Sequence, residues 1–180
     1  MYNGYSYQQI NLLNRIRMLW TQHIYWTRFF ILSTMYDLPD LEAVTKRLLE
    51  NPRDFAQMLT PFFGPRIAGQ FQKLFTQHLT IGGDLVNAAK NQDQKLADDL
   101  RKKWYQNADE IAEFLSSINH FWDEEMWRSM MYKHLDMAEK EVSLRLQGAY
   151  TPDIHMFDRI EQEALRMADY MFSGIVSQPV

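Results

Sequence analysis

Three histidines occupy equivalent places in three amphipathic stretches of the chain. They are His23, His78 and His134, and each follows apolar residues at positions −4 and −3. Because residues three and four apart share one face of a helix, this spacing predicts that each imidazole lies on the apolar face of its helix. Imidazoles brought to one level inside a helical bundle are suited to binding Zn, Fe, Ni or Cu. The pattern therefore predicts a metal site in a bundle core.

A carboxylate from another helix usually completes a metal site of this kind. We expect Glu161 to be that ligand, because it borders the inward face of the last predicted helix near its middle. Glu141 shares a face with His134 but lies two turns away, about 10 Å along the axis. This second candidate therefore cannot join His134 on the same ion, although it could pair with Arg28 or with another histidine. Asp158 is the third carboxylate candidate.

A short internal sequence repeat adds Asn107 to the candidate site residues. The segments Leu19–His23, Leu74–His78 and Lys103–Asn107 share an aromatic residue at −3 and Gln at −1 relative to their last residue. Asn107 would then hold, in its own helix, the place that histidine holds in the other two. Two interpretations stay open: a hydrogen-bond partner of the site, or ordinary core in a chain rich in Gln and aromatic residues.

The residues four positions after the three histidines are small. They are Thr27, Gly82 and Ala138, and each faces the same way as its histidine. Such residues leave room for a ligand or an open coordination position, whereas close helix packing would account for Gly82 equally well. The other two histidines, His120 and His155, fall in a turn and in a first helical turn, and we expect both at the surface.

Composition limits the classes of function. The chain has 180 residues, 46% of them hydrophobic, and a net charge of −4, so it can bury a core and has no electrostatic footprint for nucleic acid. It contains no Cys, which excludes thiol catalysis, disulfides and Fe–S clusters and fits a cytoplasmic location. No secretory signal is visible at the N-terminus, and no apolar stretch predicts a membrane span.

The hydrophobic periodicity is helical throughout. Long helices are predicted over about 7–35, 66–90, 92–118, 123–146 and 151–175, with two short helices, about 40–49 and 51–59, in the first connection. This predicts an all-α, antiparallel four- to five-helix bundle with ferritin-like or hemerythrin-like architecture. We expect a single domain over residues 1–180, with short flexible ends at 1–6 and 176–180.

Motifs of better-known sites are absent. The chain has no Glu-x-x-His, no His-Glu-x-x-His, no phosphate-binding glycine loop and no Gly-x-Ser-x-Gly. A ferritin-type di-iron centre is therefore disfavoured, and a mononuclear histidine-rich site is the better interpretation. Two facing histidines would also suit a haem, although that would leave the third idle.

Several segments carry a resemblance to a known family. They are Leu19–His23 with Trp26–Arg28, Leu38–Glu42, Trp104–Tyr105 with Asn107–Asp109, and Leu165–Asp169. On these segments the chain resembles a family of small, uncharacterised helical proteins from spore-forming bacteria whose members often carry the name acetylglutamate kinase. An amino-acid kinase of that type is an α/β protein with glycine-rich phosphate loops. Neither strands nor such loops are predicted here, so we reject the kinase activity.

Two functions follow as hypotheses. In the first, the bundle binds one divalent transition metal, Fe or Zn, and a small molecule or dioxygen reaches the open position, with or without catalysis. In the second, the protein is a non-catalytic helical module that binds an apolar ligand or assembles as a homo-oligomer without metal. Neither involves nucleic acid or a membrane.

Overall fold

A computed structural model describes residues 4–178, all of which lie in helices, turns or short connections without a β-strand. The five helices are α1 (Tyr7–Met35), α2 (Leu41–Lys90), α3 (Gln94–Ile118), α4 (Glu124–Leu146) and α5 (Tyr150–Val176). The prediction of an all-helical protein is confirmed. Of the ends predicted to be flexible, residues 1–3 and 179–180 lie outside the described residues, and Val176 belongs to α5.

Side-chain caps explain where most helices begin. Ser6 caps α1 in a reciprocal capping box with Gln9. Asp93 and Asp123 accept hydrogen bonds from backbone amides in the first turns of α3 and α4. The turn after α4 contains Gly148 with a φ of 69°, a left-handed conformation that glycine adopts without steric cost. The predicted boundaries of these helices are therefore correct to within about two residues.

The prediction of two short helices before the second histidine is wrong. The chain from Leu41 continues as one helix through Pro52 and Pro61, and its non-helical dihedral angles lie at Gly64 (φ 78°, ψ 164°). Packing overrides the proline signal, because Asn51 and Pro52 are buried and the Asn51 amide donates to the Leu19 carbonyl of α1 at 3.1 Å. The helix is thus held by tertiary contacts where its local sequence favours a break.

Gly64 reverses the direction of the chain. The rings of Phe55 and Phe71 lie 5.9 Å apart, and those of Phe55 and Phe75 lie 5.3 Å apart. A straight helix would separate residues 55 and 71 by about 24 Å, so α2 is a hairpin. We call its halves the first arm (41–63) and the second arm (65–90). The second arm then runs parallel to α1, and near their ends Lys90 Nζ donates to the Thr34 carbonyl at 2.7 Å.

The helices form a closed ring in chain order, with α5 packed against α1. Helices that follow one another in the chain are antiparallel when the two arms of α2 are counted separately, as shown between α3 and α4, where Arg101 meets Glu139 and Asp109 meets Arg128. One large cluster of buried apolar side chains draws on all five helices. It follows that α1, the second arm of α2 and α4 all run in the same direction. Within residues 4–178, no helix has the length and apolar character needed to cross a membrane.

Candidate functional site

The three predicted histidines lie at one level of the bundle. His23 lies twelve residues before Met35, His78 twelve before Lys90 and His134 twelve before Leu146, the last residues of their helices. Twelve residues correspond to about 18 Å of helix. Because the three helices run in the same direction, equal spacing from their ends brings the imidazoles to equal depth.

The rings converge on His134. Its ring centroid lies 5.5 Å from that of His23 and 6.4 Å from that of His78. The three residues are between 1% and 5% exposed, so the cluster is internal. The structure therefore brings together the three histidines that the sequence singled out, whereas His120 and His155 are exposed as expected.

Asn107 contacts this cluster from α3. Its Oδ1 atom lies 3.0 Å from His78 Nδ1, and its Nδ2 atom donates to the Leu74 carbonyl at 3.2 Å. Since the amide nitrogen is engaged by a carbonyl, Oδ1 is an acceptor and His78 Nδ1 must carry the proton. The lone pair of His78 is then on Nε2, the tautomer that an imidazole needs to bind a metal through that atom.

The other two imidazoles have unpaired nitrogens. The Nδ1 atoms of His23 and His134 are buried and have no hydrogen-bond partner within the described residues. Burial lowers the pKa of His134 from 6.5 to about 4. Burial and the neighbouring His134 together lower the pKa of His78 from 6.5 to about 3. Burial and the other two histidines hold the pKa of His23 well below 6.5. All three are therefore neutral near pH 7.

A tryptophan on α3 fixes the position of His78. The Trp104 ring stacks on the imidazole with centroids 5.3 Å apart, and its indole N–H donates to the His78 carbonyl at 3.0 Å. A Cβ atom on Gly82 would lie 3.1 Å from Trp104, and one on Gly83 would lie 3.3 Å from Phe30. The two glycines are therefore sites of close packing.

A cavity of about 380 Å³ nevertheless adjoins the cluster. All three histidines line it, and so do the small residues predicted to leave room, Thr27, Gly82 and Ala138. It reaches the turn between α2 and α3 and the last turn of α4, where Gln92 and Gln147 line it. The histidines thus lie at the inner end of a cavity that approaches the surface at the C-terminal ends of the second arm and α4.

The structure does not bring the predicted fourth ligand to the histidines. Glu161 is half-buried, and its carboxylate accepts a hydrogen bond of 2.8 Å from Tyr25 Oη, on a face of α1 different from that of His23. Asp158 is exposed and lies 3.9 Å from the His155 ring. Neither residue lines the cavity. The candidate ligands that the structure brings together are therefore the three imidazoles.

Glu141 belongs to a buried ion-pair network. It pairs with Arg28, one of the two alternatives left open from the sequence, and Arg28 also binds Asp153 through two hydrogen bonds of 2.9 and 2.7 Å. Arg145 pairs with Asp153 from the other side. Burial raises the pKa of Glu141 from 4.5 to about 7 despite the nearby guanidinium. This network ties α1, α4 and α5 together.

Asp153 and Arg145 were not predicted as part of a site. Asp153 follows Pro152 at the start of α5, a position typical of an exposed helix-start acid, and it is fully buried. Its partner Arg28 lies 125 residues away in the chain, a distance at which a single sequence gives no pairing signal. The spacing of Glu141 and Arg145, one turn apart on the inward side of α4, was the available hint.

No group of three or more His, Asp or Glu side chains within residues 4–178 stands in an arrangement that would hold a metal without movement.

Comparison with protein-family models, curated proteins and solved structures finds no match to this chain. The resemblance to the helical family of spore-forming bacteria therefore stays a prediction, as do the single domain and the cytoplasmic location.

Proposed function

We propose that the protein binds one divalent transition metal, Fe or Zn, through His23, His78 and His134. The observation that carries the proposal is the set of three neutral, buried imidazoles at one level, two of which have an unpaired Nδ1 atom. Neutral imidazole is the form that binds metal. A metal ion would also relieve the cost of unpaired buried polar atoms, about 1–3 kcal/mol each.

Two of the three ring separations can be compared with those of a shared site. Two imidazoles on one tetrahedral Zn²⁺ ion, with Zn–N bonds of about 2.0–2.1 Å, place their ring centroids about 5 Å apart. The observed separation of His23 and His134 is 5.5 Å and that of His78 and His134 is 6.4 Å. Binding therefore requires the His78 ring to move towards His134, and Asn107 and Trp104 are the residues that would control this movement.

Three imidazole ligands leave a coordination position open, as in catalytic zinc sites. In this proposal the position faces the cavity, where a small molecule or dioxygen would reach it. The arrangement is analogous to that of ferritin-like and hemerythrin-like bundles, which also place their metals among facing helices. Such analogy does not assign a reaction.

The second candidate function is a metal-free helical module. One observation in its favour is that Glu161 contacts Tyr25, on a face of α1 different from that of His23. Another is that no group of described side chains is arranged to coordinate a metal without movement. The histidines would then be buried polar residues in a ligand-binding or assembling bundle.

Elemental analysis by inductively coupled plasma mass spectrometry separates the two. Untagged protein never exposed to chelator should contain about one Fe or Zn per chain, and His134→Ala should lose it. The matched control is His155→Ala, which removes an exposed histidine and should retain the metal. If His134→Ala does not fold by circular dichroism, His134→Gln replaces it. Wild-type protein free of metal after expression with supplemented Fe and Zn would exclude the first function.

A further inference from the structure

The walls of the cavity follow two parallel helices. On α4, the residues Ala138, Val142 and Leu146 continue the line of His134 at four-residue spacing, and all of them line the cavity. On the second arm of α2, Gly82, Val86 and Ala89 follow His78 at spacings of four, four and three residues, and they also line the cavity. From the histidines to the ends of these helices is about 18 Å. A volume of about 380 Å³ over that length describes a narrow, elongated cavity.

Much of the cavity lining is apolar. Phe30 and Ile31 of α1, Leu48 of the first arm and Leu79 of the second arm line it as well, and all four are buried. A charged group placed among them would lose its hydration without gaining a partner, which is strongly unfavourable. The interior therefore selects against charge and accepts hydrocarbon.

The charged groups on the lining offer no free cation to an anionic ligand. Among the described lining residues Arg101 is the one Lys or Arg, and its guanidinium is engaged by Glu139 at 2.5 Å and by Asp98 at 2.7 Å. Asp93, at the start of α3, adds a carboxylate near the outer end. An anionic head group at that end would therefore meet repulsion with no free positive charge to compensate it.

We propose that this cavity binds an elongated, uncharged apolar molecule, of the class of long-chain alcohols, lying along the second arm of α2 and α4. The interior accepts the hydrocarbon chain. At the inner end, the unprotonated imidazole nitrogens and the Thr27 oxygen, whose own proton is donated to the His23 carbonyl at 2.8 Å, offer acceptors to a ligand hydroxyl. The inference is independent of the metal proposed above. In metal-bound protein, the inner end of such a ligand would lie beside the open coordination position.

The test uses metal-free, full-length protein and the fluorescent neutral probe N-phenyl-1-naphthylamine, which brightens on leaving water. One probe should bind per chain, and 1-dodecanol should displace it. Dodecanoate has the same chain length with a charged head and should compete at least tenfold more weakly. Equal competition by dodecanoate would overturn the assignment of an uncharged ligand, and absence of probe binding by folded protein would overturn the site.

Variants locate the bound probe. Ala138→Phe fills the cavity beside His134, and Ala89→Phe narrows it from a half-buried position that tolerates a larger side chain. Each should weaken probe binding at least tenfold. Ala43→Phe, at an exposed position of the first arm, is the matched control and should leave it unchanged.

Folding of each variant is checked by circular dichroism, and Ala89→Phe decides if Ala138→Phe is unfolded. Undiminished binding by the folded variants would place the probe elsewhere and refute the proposal. Metal content measured on separate, untreated samples reports on the proposed metal function alone, so one idea can fail without the other.

Discussion

His78 Nδ1 and Asn107 Oδ1 lie 3.0 Å apart inside the bundle, and this contact sets the tautomer of the imidazole. Removing the amide in Asn107→Ala would leave a buried N–H unpaired, so we expect the free energy of unfolding to fall by about 1–3 kcal/mol. If His78 binds a metal, its affinity should also fall by about 10–100-fold.

Urea denaturation of metal-free protein and competition with a chromophoric chelator measure these two effects. Asn87→Ala is the matched control, because Asn87 is exposed and bonds only within its own helix. A loss of stability without any change in metal affinity would assign Asn107 to packing alone.

The histidines should make stability fall in acid. Burial lowers the pKa of His134 from 6.5 to about 4, so between these values the unfolded chain binds more protons than the native protein. The free energy of unfolding should therefore drop as the pH falls from 6.5, by about 2 kcal/mol at pH 4.5 for this residue. Urea titrations at several pH values measure this slope.

His134→Gln should flatten the acid slope, whereas His155→Gln at the surface should not. Glu141 acts in the opposite direction, because burial raises its pKa from 4.5 to about 7. Between these values the native protein binds more protons, so its contribution falls as the pH rises. Glu141→Gln should remove that opposing slope, and an unchanged profile would contradict the raised pKa.

The contribution of an ion pair to the free energy of unfolding should depend strongly on how deeply the pair is buried. Arg28→Met would leave Asp153 and Glu141 buried with one partner fewer, and we expect it to lower the free energy of unfolding by about 3–5 kcal/mol. Arg17→Met breaks the pair with Asp169, whose side chains are 44% and 47% exposed, and should cost less than about 1 kcal/mol. Chemical denaturation of both variants at pH 7.5 makes the comparison, and similar losses would show that burial does not set the strength of these pairs.

Replacing glycine by alanine should have opposite effects on stability at Gly69 and at Gly174. Gly69 is helical, and an added Cβ atom would have nothing within 4 Å, so Gly69→Ala should stabilise the protein by about 0.5–1 kcal/mol. At Gly174 the added atom would lie 1.9 Å from the buried Trp122 ring, so Gly174→Ala should destabilise it by about 1–3 kcal/mol. Thermal melts report both signs, and stabilisation at both positions would mean that the Trp122 packing yields easily.

The sequence was informative where one helix face decides the outcome. Apolar residues three and four before His23, His78 and His134 were enough to place these side chains inward, because helical periodicity is local. The start of α4, predicted at about residue 123, was placed correctly for the same reason, because Asp123 caps the helix through a backbone amide of its first turn. The wrong prediction at Pro52 arose because a buried segment is held by partners on α1 that local signals do not include.

Long-range chemistry was harder to predict. Glu161 was expected inward from its position on α5, but Tyr25 on the neighbouring helix holds its carboxylate near the surface. Asp153 had the ordinary appearance of a helix-start acid, and its burial depends on Arg28 and Arg145 arriving from two other helices. Turning a helix about its own axis by the angle of one residue is enough to move a side chain between the core and the surface. Composition and spacing determine this rotation only coarsely.

The chain reversal at Gly64 gives the three histidine-bearing helices a common polarity. In every α-helix the Cα–Cβ bonds tilt towards the N-terminus. On parallel helices these bonds tilt in the same direction, so the side chains of His23, His78 and His134 all lean away from the end where the cavity meets the surface. A straight α2 would have carried His78 out of the bundle, and a bundle with alternating directions would have splayed the imidazoles apart. One glycine with a left-handed backbone thus gives the cavity a closed end and an open end.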